Sequence, residues 1–262
     1  MEHWVNRVIA GDCLEVMEAM PPGLVDLVVC DLPYGTTRNP WDTPIDFSRL
    51  WLQYKRLLKP EGVIALTAAG LFTAQLIVSN PAMFRYKLVW VKSRATNFLN
   101  ARRQPLRRHE DICIFHRGQG TYHPQKTPGL PYDKGFRTQT DSYGEYKAKR
   151  AVNQSGNRHP TDVIFFKVAD KEGQSFFPTQ KPVALGRYLV RTFSNEGDIV
   201  LDNACGSGSF LVAAVLEKRQ YIGIEKYPAN YSNKKYKGNL ISICNKRISE
   251  AKGKRELFDG KD

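Results

Sequence analysis

The pentapeptide Asp31-Leu32-Pro33-Tyr34-Gly35 follows a run from Leu24 to Cys30 that is apolar but for Asp26. A run of that length, bounded by turn residues, reads as a buried strand that delivers an acid, a proline and an aromatic ring into a loop. The acid, a backbone carbonyl fixed by the proline and a ring face together suit holding a flat base that carries an amino group. A second group stands far along the chain. Apolar Ile199–Leu201 leads into Asp202-Asn203-Ala204-Cys205-Gly206-Ser207-Gly208-Ser209, followed by the nearly all-apolar Phe210–Leu216 and a strand-like Tyr221–Ile224 that ends at Glu225.

Strand, Gly-x-Gly loop, helix and acid-terminated strand make a nucleotide-handling βαβ unit. Its glycines let a ligand approach the backbone, and its helix N-terminus offers amides to an anion. Glu225 lies 17 residues past Gly208, close to where such units place the acid that binds ribose hydroxyls. A dinucleotide fingerprint needs a third glycine where this chain has Leu211, so no pyrophosphate cradle is completed. An NAD-dependent oxidoreductase is therefore disfavoured. An adenosine ligand without a diphosphate fits better, and S-adenosylmethionine is the candidate. A Gly-x-Gly loop taken alone is weak evidence, since it also occurs as a plain tight turn.

The elements that must hold these groups alternate. A short strand, Val8–Ala10, and a helix, Leu14–Met20, precede the Leu24 strand. From Asp46, apolar residues at Phe47, Leu50, Trp51, Tyr54, Leu57 and Leu58 fall on one helical face. Strand, helix, strand and strand are then expected at Val63–Leu66, Leu71–Val78, Tyr86–Val91 and Ile112–Phe115. Leu185, Leu189 and Phe193 open a second helix-strand series, and a long basic helix or two, about 229–252, closes the chain. This alternation predicts an α/β, Rossmann-like fold with a mostly parallel sheet and helices on both faces. Residues 118–175 differ. They are rich in Gly, Pro, Thr, Gln and Tyr, and Tyr122, Tyr132, Phe136, Tyr143 and Tyr146 argue against simple disorder. They read as an inserted recognition region, with Val163–Phe166 as its last strand, between catalytic segments 1–117 and 176–262.

The charge is +13 over 262 residues and is unevenly placed. Residues 1–50 hold eight acids and three Lys/Arg, residues 85–117 nine Lys/Arg and two acids, and residues 217–255 eleven and three. Clustered basic charge favours a polyanionic partner, because each phosphate contact releases counterions. Four arginines in seven residues, Arg102, Arg103, Arg107 and Arg108, form a candidate phosphate grip. No stretch approaches the roughly 18 unbroken apolar residues of a membrane span, and the N-terminus lacks a signal-peptide pattern. Cys13, Cys30, Cys113, Cys205 and Cys244 are scattered and never spaced C-x-x-C, as in a reduced cytosolic protein without a metal.

The loop Asp31-Leu32-Pro33-Tyr34, the loop Asp202…Gly206-Ser207-Gly208, Thr179-Gln180-Lys181-Pro182 and Gly11-Asp12-Cys13-Leu14 stand in an order that resembles the permuted β subgroup of amino-methylating DNA methyltransferases. The resemblance covers roughly residues 6–117 and 176–236. It implies S-adenosylmethionine as methyl donor and double-stranded DNA as partner. It also implies a monomer or homodimer acting on DNA in a bacterial cytoplasm, whether bacterial or phage-encoded, and a place in restriction-modification. Asp31 and the Leu32 carbonyl would accept the two amino hydrogens of a flipped base, with Pro33 shaping the loop and Tyr34 stacking on the base. Gly206 and Gly208 would admit the methionine part of the donor, Asp202 and Asn203 would belong to the same pocket, Glu225 would hold the ribose, Asp12 would lie near the adenine, and Thr179 and Lys181 would bind the carboxylate. Plainer roles stand beside these: Asp12 as a helix cap, Asp202 as a turn residue, Lys181 as a surface lysine. Leu32 replaces the family's usual proline, and Cys205 a larger apolar residue. Methylation at cytosine C5 is excluded by the lack of a Pro-Cys dipeptide. An aspartate at position 31 points to adenine N6, since serine there accompanies cytosine N4 in the family. An RNA or protein amide methyltransferase with a similar loop fits the basic surface and the central insertion less well. A catalytically silent nucleic-acid binder would have little use for an intact Asp31…Tyr34 loop.

Overall fold

Alternating strands and helices build an eight-stranded sheet in the computed structural model, which describes residues 3–39, 41–136, 150–171, 175 and 176, 179–226, 231 and 232, and 237–259. The chain divides into two compact units: Met1–His123 with Asp162–Asp262, and Pro124–Thr161. Expected features at Tyr143 and Tyr146, and parts of the expected 229–252 helix, lie outside the described residues.

In the larger unit the elements run β1 (Arg7–Ala10), α1 (Cys13–Ala19), β2 (Val25–Cys30), α2 (Phe47–Leu57), β3 (Leu58–Ala68), α3 (Leu71–Ser79), β4 (Phe84–Thr96) and β5 (Arg107–Phe115). The smaller unit holds β6 (Tyr132–Phe136) and β7 (Arg150–Asn153). The larger unit resumes with β8 (Val163–Phe166), α4 (Val183–Phe193), β9 (Ile199–Asp202), α5 (Ser209–Leu216), β10 (Gln220–Glu225), the two-residue strands β11 (Tyr231–Ser232) and β12 (Lys237–Gly238), and α6 (Leu240–Asp259). The sheet order is β1-β10-β9-β2-β3-β5-β4-β8. Strand β5 is the reversal in it, pairing antiparallel with both β3 and β4.

The central strands are buried on both faces of the sheet, since successive apolar side chains point to opposite sides. Ile64, Leu66 and Ala68 of β3 join one core with Met17, Leu50, Tyr54 and Leu76 from α1, α2 and α3. Val63 and Ala65 join the other, with Leu189, Phe210 and Cys244 from α4, α5 and α6. Tyr54 and Leu50 are fully buried, and each such side chain stabilises by about 1.5–3 kcal/mol. The face predicted from Asp46 is the one α2 buries, and Asp46 caps that helix by accepting from Arg49 N at 2.8 Å.

Three sequence expectations change. Val163–Phe166 is a strand, but it pairs parallel with β4 at the edge of the large sheet. The basic segment before Ile112 is partly strand, since β5 begins at Arg107. The closing helix starts at Leu240 rather than near 229, because Gly238 and Asn239 interrupt the chain; Asn239 Oδ1 accepts from Ile241 N at 2.9 Å and starts the helix there.

In the smaller unit, β6 and β7 pair antiparallel, a bridge joins Thr127 to Arg158, and the Arg158 guanidinium lies 4.7 Å from the Tyr132 ring centroid. Gly156, at φ +73°, passes so close to the Gly129 carbonyl that no side chain fits there.

Candidate active site

The strand order reverses between β2 and β9. From β2 the chain steps outward to β3, and from β9 it steps the other way to β10. Such a switch point leaves a crevice at the carboxyl ends of the two strands, where α/β sheets bind ligands. Val28 of β2 pairs with Leu201 of β9, so the loop beginning at Asp31 and the loop beginning at Asp202 leave the sheet side by side. Residues far apart in the chain thus meet on one cavity of about 1150 Å³.

Asp31, Leu32, Pro33 and Tyr34 line this cavity, together with Asp12, Thr179, Lys181, Asp202, Asn203, Gly206, Glu225 and Arg107. Gly208, Arg102, Arg103 and Arg108 are not among its lining residues.

Asp31 is held by three donors. Thr67 and the Tyr34 hydroxyl, the latter at 3.0 Å, reach Oδ1, and Lys181 Nζ reaches Oδ2 at 2.6 Å. Tyr34 stacks on Phe72 of α3, with ring centroids 4.6 Å apart, and burial beside the Asp31 and Glu110 charges pushes its phenol well above the usual range. Lys181 also lies 3.5 Å from Glu110 Oε2, and Lys92 Nζ lies 3.1 Å from Glu110 Oε1. An alternating row of charge, Lys92, Glu110, Lys181, Asp31, therefore runs into the cavity wall, with Lys92 4% and Lys181 11% exposed. Burial works to lower the Lys181 pKa, but the Asp31 and Glu110 charges outweigh it and hold the ammonium above its ordinary value. For Glu110, burial works upward and the two lysines prevail, holding its carboxyl below the usual range. Lys181 is committed to protein carboxylates here, a role that the motif Thr179-Gln180-Lys181-Pro182 does not announce.

The glycine loop forms the opposite wall. Gly206, at φ +50°, donates its N–H to Glu225 Oε2 at 2.7 Å, and among the described residues no atom beyond its chain neighbours lies within 4 Å of where its side chain would stand. Gly208, at φ +80°, is glycine for another reason: a Cβ there would overlap Cys244 Sγ of α6. Its missing side chain makes room for a helix and not for a ligand. Asp202 is 2% exposed. Burial first, with the Asp31 and Glu225 charges adding, pushes its carboxyl up to about 8. Asn203 Oδ1 accepts from Tyr54 at 2.6 Å. Asp12 combines the plain role and the expected position: it caps α1 through Leu14 N at 2.9 Å, pairs with Lys226 at 2.9 Å, and lines the cavity. The Lys226 contact is the main reason its carboxyl lies below the ordinary value.

Five residues that the sequence reading did not single out complete the site: Thr67, Phe72, Lys92, Glu110 and Arg247. The buried Arg247 guanidinium donates to the Ser207 carbonyl at 2.5 Å and to Ser207 Oγ at 3.0 Å, and faces the Phe176 ring at 5.2 Å. It pins the glycine loop from behind. In the sequence it is one of eleven cations in a basic C-terminal stretch, with nothing to mark it as inward-facing.

Known proteins are similar to this chain in sequence and in fold. The chain is 28% identical over 233 residues to the Type II methyltransferase M.HpaI of Haemophilus parainfluenzae, covering 84% of this chain and 70% of that protein. The crystal structure of an M1.HpyAVI–SAM complex matches 92% of this chain and 98% of that one, with a TM-score of 0.60 at 19% identity. The cytosine-N4-specific PvuII DNA methyltransferase matches 92% of each chain, with a TM-score of 0.57 at 13% identity. Both share the fold. A family model described as DNA methylase, of the N6/N4 type, matches residues 25–234. With that match spanning most of its length, the chain belongs to the N6/N4 DNA methylase family.

Proposed function

We propose that this chain transfers a methyl group from S-adenosylmethionine to the N6 amino group of an adenine flipped out of double-stranded DNA. The observation that carries this reading is the meeting of the Asp31 loop and the Gly206 loop on one cavity. Its volume exceeds the roughly 300–1,000 Å³ of an ordinary ligand pocket, as two ligands side by side require.

The residues present fit the donor. Gly206 leaves open space where a side chain would stand, Glu225 and Asp12 offer carboxylates for ribose and adenine, and Asp202 faces the same wall. S-adenosylmethionine, when bound there, supplies an electrophilic sulfonium methyl.

The chain's own residues prepare the nucleophile. A carboxylate has roughly four lone-pair positions; Thr67, Tyr34 and Lys181 engage three at Asp31, leaving one on Oδ2 for an amino hydrogen. The Leu32 carbonyl takes the second hydrogen. Two acceptors in these positions draw the nitrogen out of ring conjugation, and its lone pair becomes available for in-line attack. Lys181 serves this step by fixing the Asp31 carboxylate, which leaves Thr179 as the candidate for the donor's own carboxylate. Extruding the base costs a few kcal/mol of unstacking, and contact with the Tyr34 ring returns about 1–3 kcal/mol. Arg102, Arg103, Arg107 and Arg108 hold phosphates beside the flipped nucleotide, and residues 118–175, with the Pro124–Thr161 unit at their centre, read the groove.

Incubation with methyl-labelled S-adenosylmethionine and unmethylated bacterial DNA, followed by nucleoside analysis, tests the reading. Label in N6-methyladenine is the expected result. Label in N4-methylcytosine would move the target base to cytosine, and an absence of label from every DNA tried would overturn the proposal.

A further inference from the structure

Strands β4 and β5 continue past the sheet as an arm. Thr96 pairs with Arg107, and the Thr96 hydroxyl donates to the Arg107 carbonyl at 3.2 Å. Beyond that pair the chain turns through Asn97, in the left-handed conformation at φ +71°, and a single 3₁₀ turn, Phe98–Asn100. The tip is built: Arg103 N donates to Asn100 O at 2.8 Å, Gln104 N to the same oxygen at 3.0 Å, and Asn100 Nδ2 to Asn97 Oδ1 at 2.8 Å. This ordered turn holds Phe98 and Leu99 outward, 76% and 84% exposed. Large apolar side chains are rarely presented side by side to water without a partner.

Charge and position identify the partner. From Arg94 to His109 the arm carries five arginines and no carboxylate; Arg94 pairs with Asp170 at 3.0 Å, and the exposed Arg102, Arg103, Arg107 and Arg108 match a polyanion. Arg94, Thr96 and Arg107, at its base, line the cavity that holds Asp31 and Tyr34. The arm therefore rises from the rim of the base pocket with an apolar pair at its end and cations along its sides.

We propose that Phe98 and Leu99 enter the DNA stack as a wedge and fill the gap left by the extruded base, while the flanking arginines hold the phosphates on either side. Apolar wedges unstack neighbouring base steps in this way in DNA-bending proteins. The proposal rests on the methyl-transfer reading for its purpose, but insertion can be measured without chemistry.

The test uses the double variant Phe98→Ser, Leu99→Ser in the full chain; both side chains are exposed, so folding is spared. Closed circular plasmid relaxed by a topoisomerase in the presence of saturating wild-type protein should show an altered linking number, because insertion unwinds the duplex. The double variant should leave it unchanged. This readout needs neither the recognition sequence nor methyl transfer. An equal shift with both proteins, or none with the wild type, overturns the wedge even if methylation is robust. Once the methylated site has been mapped, a second comparison uses duplexes with the target base either paired or opposite an abasic position. The double variant should lose about tenfold or more in rate on the paired duplex, where flipping has to be driven, and stay near wild type on the other. Equal losses on both duplexes would also overturn it.

Discussion

Asp31 has three protein donors on it before any base arrives, so its role is decided by orientation as much as by charge. Asp31→Ala should abolish methyl transfer while leaving donor binding in place, as checked by label transfer against calorimetric titration with S-adenosylmethionine. Retained turnover in that variant would show that Asp31 is not the amino acceptor. Asp202 makes a different demand. Its carboxyl is raised from 3.8 to about 8, so between those values the folded chain binds a proton that the unfolded chain has released. The contribution of this group to stability is thus greatest at the acid end and falls as pH rises toward 8. Asp202→Asn should remove that dependence. Melting curves should show the variant gaining on the wild type by up to about 1.4 kcal/mol per pH unit across this window. A constant offset would mean that Asp202 does not titrate there.

The two loop glycines separate binding from folding at the level of elements. Gly206→Ala puts a methyl group into open cavity space, so beyond the roughly 1–2 kcal/mol of left-handed backbone strain its cost should fall on donor affinity. Gly208→Ala drives a methyl group into Cys244 at a left-handed backbone position and should cost about 1–3 kcal/mol of stability in chemical denaturation. Arg247→Ala removes a charged donor set from the Ser207 carbonyl and hydroxyl and should destabilise by about 1.5–3 kcal/mol, with a parallel loss of donor affinity. Much of this architecture was legible in the chain. The apolar run before Asp31, the Asp46-capped helix and the strand before the glycine loop each carry their own local signal, and each stands where that signal puts it. The remainder depended on contacts that no local pattern encodes. Thr67 and Phe72 reach the site only because β3 lies beside β2. Glu110 reaches it from the part of β5 that lies ahead of the strand expected at Ile112–Phe115. Arg247 looks like any surface cation until α6 packs on Gly208. A glycine in sequence does not say whether the space beside it is open or filled by a neighbour: beside Gly206 it is open cavity, and beside Gly208 it is Cys244.

Across the whole molecule, charge is divided between surfaces and interior. Lys92, buried, and Lys181, mostly buried, are held against acids, whereas Arg102, Arg103, Arg107 and Arg108 stand exposed. Only the second group should govern the ionic-strength dependence of DNA binding. Changing Arg107 and Arg108 together to alanine should reduce the slope of log affinity against log salt by about 2 in a filter-binding titration; an unchanged slope would remove both from the interface. The strand order has a further consequence. β9 and β10 lie between β1 and β2, although the chain makes β1 and β2 first and reaches residue 199 only much later. A growing chain therefore owns one bank of the crevice long before the other exists, and β1 has no sheet neighbour until β10 arrives. A chain divided ahead of Thr179 would give two inert halves, each with a single bank. Their co-expression should restore methyl marks on DNA, so that a permanent chemical record would report the meeting of two polypeptides.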